Sequence, residues 1–491
     1  MAIDYSALYP VIVLVVFAAV LPAVHLLAKS SKALATVSLV GIAASIGTVL
    51  HFMFNGYPVT LGGANTPLLT FDAFAAVFSL VFLAVAAFVV LASARYVEKD
   101  RHLAEYYSLL MLATAGMMVV AGADDLLMLF AGLEATSLAS YALVAFRKKD
   151  KRGSEAAVKY VIIGGLSSAI SLYGMSLLYG VTGTTNLEGM NAALANLGSL
   201  DAVALLGIGM LIAGFGFKVA LVPFHMWAPD VYEGAPSTIS AMLAAGSKSM
   251  GIVLLFKLFL VALIALKADW QPVVSIIAIL TMTLGNVVAL SQTNMKRMLA
   301  YSSIAQAGYM LIAVAVATDF AVGSGIFHIV THAFMKGGAF VIVAALAYTA
   351  LGENIADYKG LAKRAPFLAF TMMVLMFALA GIPPLSGFWS KMFLFGAAVD
   401  ASSIAANNWM LWLAIAGILN SALSLYYYAR VVKYMYVEEG PSKERIKLPW
   451  TMTAAVAVCL LATILIGLWP DQVFGACLDA ARALLGGGGL G

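Results

Sequence analysis

Apolar runs parted by short polar stretches repeat from one end of the chain to the other. A helix that crosses a bilayer needs roughly 20 such residues at about 1.5 Å rise each, and by that ruler the chain holds about 14 spans. They fall near residues 5–28, 33–54, 71–94, 105–122, 124–146, 156–181, 201–222, 237–266, 272–291, 297–317, 320–351, 366–399, 408–436 and 449–469. The seventh has a broken continuation to about 232, and the twelfth is broken within itself. The Asp124–Asp125 turn is the tightest connection. The first run, from Tyr5 to Ala28, is too long for a signal-peptide core and has no basic region before it, so it reads as a retained span.

One stretch departs from the pattern. GFGFKVALVPFHMWAPDVYEGAPSTISAMLAAGSKS, residues 214–249, carries Lys218, His225, Asp230, Glu233 and Lys248, and Pro223, Pro229 and Pro236 break it. A charge at mid-bilayer is expensive, so such residues face a protein or water-lined interior and mark ion pathways. Prolines free backbone carbonyls, which is tolerated only where a cavity or neighbouring helices satisfy them. The stretch reads as part of an ion path.

Composition agrees with a polytopic membrane protein. Of 491 residues, 63% are hydrophobic and 11% charged, against about 25% charged in a soluble domain; mean hydropathy is +0.98. The net charge of +4 comes from basic residues scattered among short loops and gives no sign of nucleic acid. Cys459 and Cys477 are far apart, with no CxxC, which argues against an iron–sulfur or structural zinc site. There is no P-loop or dinucleotide fingerprint, and the loops are too short for a nucleotide or an electron carrier. The glycines of 486–491 read as a disordered tail.

Basic residues fill alternate loops: Lys29 and Lys32; Arg95, Lys99 and Arg101; Arg147 to Arg152; Lys296 and Arg297; Lys359, Lys363 and Arg364; then Lys433, Lys443, Arg445 and Lys447. The intervening loops are acidic apart from Lys267, and the tail adds Arg482. Lysines and arginines mark the cytoplasmic side, so this alternation expects an even span count with both termini outside. Asp230 and Glu233 are the acidic exception on the cytoplasmic side, where they attract protons or cap the next helix.

Glu134 lies in the middle of span five among small and hydroxyl residues. It is either a carboxyl packed for stability alone or the partner of a buried cation. Lys218 precedes the break at Pro223, and Lys248 sits deep in span eight after Ala-Ala-Gly-Ser. Lys257, nearer the end of that span, reads as a lysine snorkelling to the interface. His328, His332 and Lys336 recur every four residues and so share one helical face. A metal would want a carboxylate nearby, and satisfied core histidines are the bland alternative; a titrating stripe is the reading taken. Span twelve breaks at Pro383 and Pro384, and Lys391 follows the break. Interrupted helices in both halves of a chain point to a transport site. Arginine is missing from this buried set. Desolvated lysine and histidine give up protons and arginine does not, as moving protons requires. Serines, Asn286, Gln306, Asn420 and tyrosines are the groups expected to help hold bridging waters.

These residues resemble the antiporter-like subunits of respiratory complex I and its relatives, a family shared with multisubunit sodium/proton antiporters and membrane-bound hydrogenases. GLEATSLASYALVAF, KVALVPFHMWAPDVYEGAP, GNVVALSQTNMKRMLAYSSIAQAGYML and GIPPLSGFWSKMFLF carry the resemblance, which runs from about span three to span thirteen. PDVYEGAP is most similar to the N-type subunit, whereas HIVTHAFMKGGAF looks more like the L- and M-types. An F420H2-dependent archaeal enzyme or another prokaryotic complex I relative would fit that mixture. The resemblance implies an all-α membrane fold of 14 helices with two inverted five-helix repeats and broken helices 7 and 12. The segments are then 1–104, a first repeat 105–266, a second repeat 267–436, and 437–491. It implies that Glu134 pairs with Lys218, that Lys248 is the central lysine and that Lys391 is the terminal one. It also implies a prokaryotic cytoplasmic (inner) membrane, neighbouring antiporter-like and small membrane subunits as partners, and flavin, iron–sulfur clusters and a quinone-like acceptor in other subunits. No cofactor or metal is expected in this chain. The function the resemblance implies is proton translocation along the buried Glu/Lys/His relay, driven by electron transfer to that quinone-like acceptor. A sodium/proton antiporter (or membrane-bound hydrogenase) subunit without quinone coupling, and a scaffold whose charges only hold helices together, are the competing functions.

Overall fold

The computed structural model describes residues 5–63, 66–197, 201–404, 409–440, 442 and 444–486. Lys443 and the glycines of 487–491 lie outside the described residues.

Hydrocarbon offers no partner to backbone N–H and C=O, so apolar runs satisfy them within helices. In chain order these are α1 (Tyr9–Ala28), α2 (Ser31–Asn55), α3 (Ala73–Tyr96), α4 (Leu103–Gly122), α5 (Leu126–Val144), α6 (Lys151–Thr182), α7 (Leu187–Ala195), α8 (Ala202–Val219), α9 (Trp227–Gly234), α10 (Ser237–Met242) and α11 (Lys248–Lys257). Then come α12 (Lys267–Ser291), α13 (Met295–Val316), α14 (Asp319–Tyr348), α15 (Leu361–Arg364), α16 (Pro366–Ala380), α17 (Ser386–Ile404), α18 (Trp409–Tyr436), α19 (Trp450–Leu468) and α20 (Pro470–Leu484). Among the described residues, 13 helical segments are long and apolar enough to cross a membrane. They fall within a few residues of the expected spans. The twelfth expected span is the shorter apolar α16 followed by α17.

Several loop carboxylates turn out to be helix caps. Asp72, Asp125, Asp150 and Asp201 each accept a backbone N–H in the first turn of the helix that follows. That satisfies a donor the helix leaves free. Four elements were not foreseen, because they are short. β1 (Val59–Gly63) and β2 (Thr66–Phe71) form an antiparallel hairpin between α2 and α3. α7 and α20 are too short to cross. α20 packs on α14 and α3, with Phe474 among Phe320, Phe327 and Phe393.

The centre is α13, α14 and the continuous segment from α10 to α11, buried on nearly all sides. Glycines allow the closest approach. A Cβ on Gly285 of α12 would lie 2.5 Å from the Ala305 nitrogen of α13, and one on Gly308 of α13 would lie 2.5 Å from Met282 N. Such small residues let backbones touch where apolar packing drives association.

Two spans are broken. α8 ends at Ala220 in the left-handed region, φ 62°, and the chain resumes as α9 at Trp227. α16 ends at Gly381, φ 93°, and resumes as α17 at Ser386. A third irregularity is a π turn, Leu243–Ser247, between α10 and α11. π turns gather at functional sites, and this one delivers Lys248.

Candidate functional site

Glu134, on α5, is partly buried and accepts a hydrogen bond from Ser168 Oγ of α6 at 2.5 Å. Lys218, on the last turn of α8, is buried, and its Nζ donates to Ser137 Oγ at 2.9 Å. Ser137 lies three residues after Glu134 and shares its face. The implied Glu134–Lys218 ion pair is therefore not closed here: each partner is held by a hydroxyl instead. Ser137 and Ser168 escaped the sequence reading, although the spacing from Glu134 to Ser137 was a usable signal.

The first break is satisfied without Lys218. Trp227 Nε1 donates to the Phe217 carbonyl at 2.8 Å, and Val222 N donates to Thr281 Oγ1 at 3.0 Å. His225 lies buried in this break, its Nδ1 without a partner among the described residues.

Lys248 opens α11 and is buried. Its Nζ has no hydrogen-bond partner among the described residues and lies 5.9 Å from the Tyr232 ring centre. Across from it, α14 carries His328, His332 and Lys336, all fully buried. The two imidazoles stack at 6.3 Å. His328 contacts Gln306 Oε1 and Ser390 Oγ, each at 3.0 Å. His332 has neither ring nitrogen bonded among the described residues. Lys336 Nζ donates to Ser302 Oγ at 2.5 Å, and Ser302 is hydrogen-bonded to Tyr428 OH. Lys391 is buried beside the second break. It donates to the carbonyls of Leu379 at 2.8 Å and Ala380 at 3.1 Å and to Ser421 Oγ at 2.8 Å. A cavity of about 450 Å³ opens beside it, lined by Gly381, Phe388 and Ser421 among others.

The residues expected at the inner mouth are ion-paired. Asp230 meets Lys159 at 2.7 Å and Arg297 at 2.8 Å, and Glu233 meets Arg297 at 2.8 Å. They tie α6, α9 and the start of α13 together and do not cap α10. Lys257 corrects a second expectation. It does not snorkel: it is buried, and its Nζ meets Asp124 Oδ1 at 2.9 Å. The fold brings α11 against the α4–α5 turn, so a carboxylate far away in sequence reaches it.

Asn286, Gln306 and Asn420 are joined directly to tyrosines or to one another. Asn286 bonds Tyr309, Tyr427 and Asn420, and Gln306 reaches Tyr428. Among the described residues no group of three or more His, Cys, Asp or Glu could hold a metal.

Residues 123–424 match the family described as NADH:quinone oxidoreductase/Mrp antiporter, TM. The chain belongs to that family. Over 427 residues it is 47% identical to F(420)H(2) dehydrogenase subunit N of Methanosarcina mazei, covering 85% of each chain. Over 488 residues it is 39% identical to NADH-quinone oxidoreductase subunit N of Trichlorobacter lovleyi, covering 98% of this chain and 96% of the relative. Among solved structures, a chain of respiratory complex I from Thermus thermophilus with bound aureothin superposes with a TM-score of 0.79 at 29% identity, covering 95% of this chain and 98% of that one. Both named relatives are subunit N, the type that PDVYEGAP resembles. The stretch matching the NADH:quinone oxidoreductase/Mrp antiporter family spans every candidate from Glu134 to Lys391.

Proposed function

We propose that this chain is a proton-translocating membrane subunit of a complex I-type oxidoreductase. Its path is Glu134, Lys218, Lys248, His328, His332, Lys336 and Lys391. One contrast carries this reading. Lysines that tie the fold together have carboxylates: Lys257 has Asp124 and Lys296 has Glu353. Among the described residues, Lys218, Lys248, Lys336 and Lys391 have only hydroxyls, carbonyls and ring faces. An ammonium buried without a counter-charge is costly. A scaffold has no use for that cost, whereas a carrier that must let go of its proton does.

On this reading the serine-held arrangement of Glu134 and Lys218 corresponds to the open state of a pair that closes during the cycle. Closing it to about 4 Å would gain about 4 kcal/mol at an effective dielectric constant of about 20. Closure favours the ammonium, and opening lets the proton pass to Lys248, the α14 face and Lys391 in turn. Electron transfer to a quinone-like acceptor in other subunits drives the cycle; those subunits hold the flavin and iron–sulfur clusters, and the electron donor is set there. The segments 105–266 and 267–436 act as two repeats, each with one broken helix. Both termini lie outside the cytoplasmic membrane, with the basic loops within.

The test is Lys218→Ala and Lys391→Ala in the assembled complex in vesicles. Proton pumping per electron should fall by about tenfold or more, the scale of a lost proton-transfer group. Wild-type pumping and electron transfer in both variants would sink the path. Sodium-dependent pH exchange without an electron donor would instead mark an antiporter.

A further inference from the structure

Gln306, on α13, sits between the histidine face and Lys391, and the path above leaves it unused. It is buried, and its amide is directional. Oε1 lies 3.0 Å from His328 Nε2, while Nε2 donates to the Leu379 carbonyl at 3.3 Å. A carbonyl oxygen only accepts, so His328 Nε2 must carry a hydrogen whatever the charge of the ring. That leaves His328 Nδ1, which faces Ser390 Oγ at 3.0 Å. Ser390 has a second acceptor, the Gly387 carbonyl at 3.1 Å. When the ring is neutral, the Ser390 hydroxyl donates to Nδ1. When it is charged, Nδ1–H donates to Ser390, whose hydroxyl turns to Gly387. Every donor keeps an acceptor in both states, as buried polar groups require.

The amide has a second tie. The Leu379 carbonyl that it reaches is also held by Lys391 Nζ at 2.8 Å. Gln306 thus joins the ring on α14 to the helix end where Lys391 is anchored. His332, one turn along, has no such partner among the described residues.

We propose that Gln306 is a positioning residue of the relay: it fixes the Nε2–H tautomer of His328, leaves Nδ1 as the site where the proton enters and leaves, and keeps the ring in register with Lys391. The inference rests on the proton path proposed above. The step balances simply. One N–H bond forms at Nδ1, the ring gains one positive charge, the lysine that gave the proton becomes a neutral amine, and Ser390 only rotates.

The test uses the assembled complex with ¹⁵N-labelled histidine. Ring nitrogens are read by solid-state NMR, with the His328 signal assigned by its loss in His328→Asn. The native complex should show Nε2–H at His328. Gln306→Met should give mixed tautomers and lower protons pumped per electron by about tenfold, the scale of a misplaced reacting group. Gln306→Glu keeps an accepting oxygen before the ring and should restore Nε2–H. Gln306→Asn replaces the Met variant if that one does not assemble, and should also mix the tautomers. A native Nδ1–H signal, or an unmixed Nε2–H signal in the Met or Asn variant, overturns the proposal. The tautomer answers for Gln306 and the lysine variants answer for the path, so either failure is told from the other.

Discussion

The two broken helices use the same residue type in opposite ways. At the first break Lys218 comes before the loop, and the loop does not need it. Trp227 and Thr281 satisfy the backbone, and the ammonium is left to one hydroxyl, Ser137. At the second break Lys391 comes after the loop and holds it closed. It takes the carbonyls of Leu379 and Ala380, and Ser421 also donates to Ala380 at 3.1 Å. A helix C-terminus carries partial negative charge, which favours an ammonium by up to about 2 kcal/mol in partly buried geometries. In the proposed path Lys218 is therefore the lysine left to swing toward Glu134, while Lys391 would be a carrier as well as the helix cap.

That difference can be broken experimentally. The largest effect expected is on assembly. Lys391→Ala removes two hydrogen bonds from a charged donor, about 1.5–3 kcal/mol each, and leaves the Leu379 carbonyl to Gln306 and the Ala380 carbonyl to Ser421, so it should reduce the amount of intact complex on native gels as well as pumping. Lys218→Ala should assemble normally. Assembly failing in Lys218→Ala and not in Lys391→Ala would reverse the comparison. Next comes the arginine variant. Lys391→Arg keeps a cap, so assembly should return while pumping stays lost, because guanidinium does not release its proton. Wild-type pumping in Lys391→Arg would make Lys391 a cap only. The smallest effect is at Ser137→Ala, which removes the one hydroxyl that Lys218 donates to, a net loss of about 1 kcal/mol. Pumping should fall by about fivefold, the rate equivalent of that energy, with assembly unchanged. A loss as large as that of Lys218→Ala would place Ser137 in the path itself.

The spans were legible because each needs only a run of apolar residues of bilayer length. The hairpin, α7 and α20 were not, because short elements lack that signal and form only where neighbours cover them. Among the site residues, Lys248 and Lys257 make the point. They stand at the two ends of one helix, α11, in similarly apolar surroundings. Yet Lys257 has a carboxylate and Lys248 has a ring face. Position in the span set the two apart in sequence, but nothing near Lys257 in sequence pointed to the carboxylate of Asp124. Gln306 was noticed only as one of several hydrogen-bonding groups; its role needed the direction of its amide, which depends on α14 and α16 together.

The sequence by itself determined the membrane fold class and most, though not all, of the charges buried within it. Both follow from transfer free energy, which is a property of each residue and its chain neighbours. Only the tertiary structure decided which buried lysines are neutralised and which are left to hydroxyls and carbonyls. Electrostatic pairing falls off with distance, and here the distances are set by helices far apart in the chain: Lys257 meets Asp124 across 133 residues.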